Sequence, residues 1–234
     1  MENQGISLKN AVVYQDEVLI VLDKPVNLPV HKNDFMPHDA PYLNKLVGEM
    51  TGKHVDNVHR LDSKTSGIIV LAFSKEAAHN LALQFERREV EKKYHAIVRG
   101  NPSDGQFDQK VLVKKKSKFR KPAVTNFKTL KTIETGISYK DYQATEISLV
   151  EISPETGRWH QIRQHFAKNR FDIIGDTHHG DFTLNKILIE KTGIKRLFLH
   201  ASELSFNHPE SGKRVAFRTA LPDEFDQLLI MLEK

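Results

Sequence analysis

The feature that most constrains this chain is Ile68–Phe73, an unbroken apolar run of strand length that directly follows Thr65-Ser66-Gly67. A run without polar alternation has no wet face, so a strand there is covered on both sides. Thr65-Ser66-Gly67 reads as the turn that feeds it. Other segments supply neighbours. Val18–Leu22 is a second apolar run, stopped by Asp23-Lys24-Pro25. Tyr94–Val98 has strand periodicity, with Tyr94, Ala96 and Val98 on one face and His95, Ile97 and Arg99 on the other. Ala144–Ile152 and Leu197–Phe206 read as further strands, and Asn207–Lys213 as a hairpin loop.

Helical signals are fewer. Ser74 is an N-cap for a helix whose apolar residues Ala78, Leu81, Ala82 and Phe85 recur at helical spacing. The charged run Glu86–Lys93 closes it. After the turn Pro154-Glu155-Thr156-Gly157, the spacing predicts a helix over Arg158–Asn169 with the stripe Trp159, Ile162 and Phe166. Pro222 opens a final helix at its first position, with acids in the first turn. Asn33–Pro41 reads as a loop. Together these predict an α+β fold with a mixed, largely antiparallel sheet and flanking helices.

The chain has no cysteine, so disulfides, Cys-ligated metal and thiol chemistry are excluded. Met1–Asn10 is a polar extension without the apolar run of a signal peptide. No apolar stretch is long enough to span a bilayer, and a cytoplasmic location is the expectation. No repeat or linker divides the remainder, so 11–234 is expected to be a single domain. The net charge of +5 suits a nucleic-acid partner without requiring one. Its distribution is more telling. Lys114, Lys115, Lys116, Lys118, Arg120 and Lys121 form a basic run broken by Ser117 and Phe119. Such a run is either a solvated loop or a phosphate-contacting one.

Two segments carry candidate chemistry. In His59-Arg60-Leu61-Asp62, the acid stands in a turn just before the apolar strand, where it is either a turn cap or a site carboxylate. In Gly157–His165, Arg163 falls at the border of the predicted apolar stripe. It either snorkels to solvent or meets a buried acid, which then becomes a site candidate. The twelve histidines raise a metal reading. His160 and His165 are five apart rather than four, and adjacent His178 and His179 would point to opposite faces of a strand, so no metal site is expected. There is no phosphate-binding glycine loop and no nucleophile elbow.

His59-Arg60-Leu61-Asp62 followed by Thr65-Ser66-Gly67 resembles the signature of the RluA-type pseudouridine synthases. Lys93-Tyr94-His95-Ala96, Gly157–His165 and Arg196–Ala201 resemble three further motifs of that family, in order. Tyr94–Gly100, Pro122–Thr125, Gly175-Asp176, His179-Gly180-Asp181 and Asn185 resemble its tRNA-acting C-type branch. Trp159 and Gln164 depart from the commonest family choices, which implies an effect on packing or RNA contact rather than on chemistry.

The resemblance implies the family's catalytic fold, with a central cleft, and an isomerase that turns a specific uridine of RNA into pseudouridine. Asp62 is then the nucleophile, Arg163 its ion-pair partner and Tyr94 the active-site tyrosine. Arg60 would fill the space left by the extruded uridine, Leu199 would pack near the uracil, and His59, Lys114, Lys115 and Lys116 would contact RNA. No cofactor and no metal are implied. The expected partner is tRNA, at a uridine near the junction of acceptor stem and T arm, bound by a monomer with no appended RNA-binding domain. Ribosomal RNA is the rival substrate, and a non-catalytic RNA-binding module the rival class.

Overall fold

The computed structural model describes residues 8–32, 36, 37, 39–115, 117–140 and 145–233. Contacts gather the chain into two compact units, Met1–Glu91 with Ala201–Thr219 and Lys92–His200 with Ala220–Lys234. In chain order the first holds β1 (Val12–Gln15), β2 (Leu19–Lys24), α1 (Leu43–Thr51), β3 (Asp56–Asn57), β4 (Ser66–Ala72) and α2 (Lys75–Glu86). The second begins in β5 (Glu91–Arg99) and continues through β6 (Gly105–Asp108), β7 (Val111–Leu112), β8 (Arg120–Lys121), β9 (Val124–Thr135) and β10 (Thr145–Pro154). It then adds α3 (Gln161–Lys168) and α4 (Phe182–Thr192). Within β11 (Leu199–Asn207) the chain returns to the first unit, forms β12 (Arg214–Arg218), and ends in α5 (Asp223–Leu232) of the second.

In the first unit β2 pairs antiparallel with β1 and β4, β3 with β4, and β12 with β11. Every residue of β4 is buried, as an unbroken apolar run demands. Leu81 and Val90 from the α2 region pack on Leu19, Val21, Ile68, Val70, Leu204 and Phe206. Each such aliphatic side chain contributes about 1.5–3 kcal/mol by leaving water. Ser74 caps α2 as expected, its Oγ accepting from the Ala77 amide.

In the second unit β5, β10, β9 and β6 follow one another as antiparallel neighbours. The alternation read in β5 separates two cores. Ile97 joins Ile147 under α4 and α5, with Leu184, Leu188, Phe225, Leu228, Leu229 and Leu232. Ala96 and Val98 join Val150 and Ile152 under Ile162 and Phe166 of α3. Pro222 sits one residue earlier than expected, as the N-cap of α5, and Asp223, Glu224 and Asp226 occupy the first turn, where acids complement the helix dipole. α4 had no counterpart in the sequence reading, although Asp181 caps its start and Gly193 ends it in a left-handed conformation.

One helix differs from expectation. α3 begins at Gln161, three residues late, because His160 takes a left-handed conformation with φ 48°. The Gln161 side chain then closes the preceding turn, accepting from the Arg158 amide and the Thr156 hydroxyl. Trp159 therefore lies outside the helix and is not part of its stripe, which keeps Ile162 and Phe166. Among the described residues no helix is long and apolar enough to cross a membrane.

Candidate active site

Asp62 stands where the sequence placed it, in a turn closed by the Thr65 amide donating to the Asp62 carbonyl at 3.0 Å. Leu61 is buried, Asp62 half-buried and Arg60 exposed, so the apolar residue anchors the turn. Gly67, at φ 111°, is required behind it: a Cβ there would lie 2.2 Å from the Ala201 carbonyl oxygen. His59 is built into the first unit. Its ring stacks on Phe85 at 4.6 Å and its Nε2 accepts from the Val70 amide at 3.1 Å.

A second residue fixes this turn. Lys24, at the end of β2, is fully buried. Its ammonium donates to the carbonyls of Pro25, Leu28 and Ser63 at 2.8, 2.9 and 3.1 Å. The last bond ties the residue after Asp62 to the loop that follows β2. Burial pushes the Lys24 amine down to about 7, against the pull of the Asp62 and Asp23 carboxylates. Three carbonyl acceptors use all three ammonium protons, so they too favour the charged form.

In the second unit Tyr94 lies on β5, half-buried against the core that contains Leu199 and Ile162. Arg163 does not snorkel. It is 4% exposed, and its guanidinium forms a fork on Asp176, Nε to Oδ2 at 2.7 Å and Nη2 to Oδ1 at 2.8 Å. Its Nη1 donates to His160 Nε2 at 3.0 Å. Burial raises the Asp176 carboxyl, but the bonds and charge of Arg163 and the amides of His178 and His179 outweigh it and hold the group at about 2. Burial and the neighbouring Arg163 push His160 down to about 2, so it is a neutral imidazole.

His178 and His179 occupy a turn rather than a strand, and this brings them together with His160, contrary to the expectation that they diverge. One ligand atom from each of the three lies within 4.8 Å of the others, a spacing that a divalent cation can bridge. The hydrogen bonds work against that use. Arginine only donates, so His160 Nε2 accepts and its Nδ1 carries the ring proton. That proton points along the 3.0 Å contact to His179 Nε2, making Nδ1 a donor rather than a ligand. Trp159 stacks on His160 with centroids 3.9 Å apart.

Lys114, Lys115 and Lys118 lie in the turn between β7 and β8, Arg120 and Lys121 form β8 itself, and all five are exposed, as is Phe119 at 79%. Lys116 lies outside the described residues. Gln164 pins the hairpin to α3, accepting from the Leu112 amide at 2.9 Å and donating to the Leu112 carbonyl at 3.2 Å. This gives one of the two unusual family positions a packing role. Sequence reasoning missed Lys24 and had no function for Asp176. The Asp23-Lys24-Pro25 stop and the Gly175-Asp176 pair were the available signals.

Comparison with known proteins agrees with the motifs. The family described as RNA pseudouridylate synthase matches residues 18–168. A protein of Yersinia pestis named tRNA pseudouridine synthase C is 36% identical over 91% of this chain and 86% of its own length. One of the same name from Vibrio cholerae is 37% identical over 93% of each. Among solved structures, human RNA pseudouridylate synthase domain containing 4 superposes with a TM-score of 0.74 at 26% identity, covering 96% of this chain and 94% of that one. Human RNA pseudouridylate synthase domain containing 1, at 23% identity and a TM-score of 0.75 over 98% and 91% of the chains, shares the fold.

Proposed function

The chain belongs to the RNA pseudouridylate synthase family, and from that premise we propose that it isomerises a tRNA uridine at the junction of acceptor stem and T arm, with Asp62 as nucleophile. The observation that carries this reading is the Asp62 turn. It bears the family's signature residues, and it leaves the carboxylate half-buried on a turn held by Leu61 and Lys24. Such a group is both reachable by a substrate and fixed in place.

The net reaction breaks the N1–C1′ bond of a uridine, forms a C5–C1′ bond and moves a proton from C5 to N1. Nothing is oxidised or added, so the residues proposed here need only a nucleophile, a proton acceptor and a way to hold the base. Asp62 supplies the carboxylate. Arg163 acts as its counter-charge and opposes the desolvation that would otherwise protonate it. Tyr94 lies against the base, and its hydroxyl takes part in proton removal from C5. Leu199, buried in the same core as Tyr94, packs toward the uracil. Extruding a base from a stack costs a few kcal/mol, which exposed Arg60 offsets by filling the gap. His59 supports the turn beside the RNA, and Lys114, Lys115 and Lys116 contact phosphates. The stretch 11–234 works as one catalytic domain, as a monomer, without metal or cofactor.

A tRNA is a rigid folded shape, and a helical junction is a place where a base is splayed out at low cost. The test incubates the protein with unmodified tRNA transcripts and with ribosomal RNA fragments, then maps pseudouridine by carbodiimide labelling. Conversion at the acceptor-stem/T-arm junction is expected. Isomerisation confined to ribosomal RNA overturns the substrate, and conversion of an anticodon-arm uridine alone places the chain in another branch.

A further inference from the structure

The second unit contains an acid that the family motifs leave without a role, and it is better held than the residues they name. Asp176 is 1% exposed. Its Oδ2 takes Arg163 Nε at 2.7 Å. Its Oδ1 takes Arg163 Nη2 at 2.8 Å and the amides of His178 and His179 at 2.8 and 3.1 Å. The backbone around it is equally determined. Asn185 of α4 accepts from the Gly175 amide at 2.7 Å and donates to the Asp176 carbonyl at 3.1 Å. Gly175, at φ 77°, packs so tightly that a Cβ would lie 1.7 Å from the Arg196 carbonyl oxygen.

A stability role alone accounts poorly for this arrangement. A buried ion pair is commonly neutral or worse for stability than an apolar pair of the same size, because both charges lose water. It does give geometry: a bidentate fork fixes the plane of a guanidinium. Nη1 donates to His160, which is itself in the strained left-handed region at φ 48°, so these bonds fix three of the five guanidinium N–H groups. Strained, over-determined residues collect where a site must be pre-organised.

We propose that Asp176 is a positioning residue for catalysis: with His160, and on a turn clamped by Asn185, it holds the Arg163 guanidinium in the one orientation that serves the reacting carboxylate. The inference rests on the assignment of Arg163 as counter-charge to Asp62. Asp176 itself touches no substrate. A misplacement of about 1 Å in such a group costs on the order of 10²-fold in rate. The loss falls on the chemical step rather than on RNA affinity, because the RNA contacts lie elsewhere.

The experiment measures single-turnover rate and RNA affinity for wild type, Asp176→Asn, Arg163→Lys and the double variant, each well below its own melting midpoint. Asp176→Asn removes the charge and one acceptor but keeps the shape. It is expected to lower the rate constant on the order of 10²-fold with affinity nearly unchanged. In the Arg163→Lys background, where the fork is already lost, the same change is expected to cost little. A purely structural role predicts instead a lower melting midpoint, unchanged rates, or losses that multiply. His160→Gln and His160→Leu extend the test if Asp176→Asn does not fold. Gln keeps an acceptor for Nη1 and is expected to retain most of the rate, whereas Leu is expected to lose it. Wild-type rates in Asp176→Asn, or equal rates in the two His160 variants, overturn the proposal. Asp62→Asn run in parallel separates the two readings: if it stays active, the nucleophile assignment fails, whatever Asp176 does.

Discussion

Arg163 and Asp176 meet as a two-pronged ion pair, at 2.7 and 2.8 Å, with both side chains almost wholly out of water. Removing one partner of such a pair strands the other charge. Arg163→Met is therefore expected to destabilise the fold by about 3–5 kcal/mol, in addition to its effect on rate. Urea denaturation checks it, and a loss below about 1 kcal/mol, the value of an exposed pair, contradicts the burial argument.

Lys24 donates to three backbone carbonyls, of which only the bond to Leu28 is wholly buried. Lys24→Met leaves all three without that donor, at about 1–3 kcal/mol for the buried Leu28 carbonyl and less for the two part-buried ones. The variant should unfold at markedly lower urea. Because one of the three bonds goes to Ser63, next to Asp62, the folded fraction should also be slower. A stable, fully active Lys24→Met protein means that the turn is held by Leu61 and β4 alone.

The neutral His160 makes stability depend on pH with a definite sign. Its folded value of about 2 lies below the usual 6.5, through burial first and then Arg163, His179 and His178, with Asp176 opposing. As pH falls below 6.5 the unfolded chain takes up a proton that the folded chain refuses, so stability drops with falling pH from 6.5 toward 2. His160→Asn should flatten the fall in urea midpoint between pH 7 and pH 5. It should not abolish the fall, because burial also depresses His95, His165 and His200. An unchanged slope shows that His160 is already protonated or already exposed.

The sequence was most legible where one local rule decided the structure. An apolar run with no polar alternation can only be a strand covered on both faces, so β4 and its preceding turn were readable. Ser74 did the same for the start of α2, but its buried face is Ala77, Leu81 and Gln84; of the expected stripe Ala78, Leu81, Ala82 and Phe85 only Leu81 is buried and Ala82 is exposed. The strand periodicity of β5 sorted Ile97 from Ala96 and Val98, and two separate cores confirm it. Legibility failed where long-range bonds overrode local preference. α3 starts late because His160, bonded to Arg163 and His179, leaves the helical region. His178 and His179 converge because the Asp176 carboxylate gathers their amides into a turn. No spacing rule signals an Arg–Asp fork between a helix and a loop 13 residues on. Asp62 itself was visible to pattern reasoning only as one acid in a turn, and the family resemblance raised it to a nucleophile.

The hairpin bearing Lys114 and Lys115 should set the salt dependence of RNA binding. Each phosphate contact releases counterions, and its loss makes the slope of log affinity against log salt shallower by roughly 0.7–0.9. Replacing Lys114, Lys115 and Lys116 with Ala should lower the slope and weaken binding to all RNAs alike. An unchanged slope makes the run a solvated tip, held to α3 by Gln164 for reasons unrelated to RNA.

The central claim is that Asp62 carries the isomerisation, and the most direct measurement is pseudouridine formed on a tRNA transcript by Asp62→Asn beside wild type. The amide nearly matches the carboxylate in shape but cannot act as an anionic nucleophile. The account predicts product from wild type without added metal or cofactor and in the presence of EDTA, and none from Asp62→Asn, although the variant binds the RNA as tightly and melts at nearly the same temperature. Turnover by Asp62→Asn above a few per cent of wild type, on the order of what contaminating enzyme gives, contradicts it.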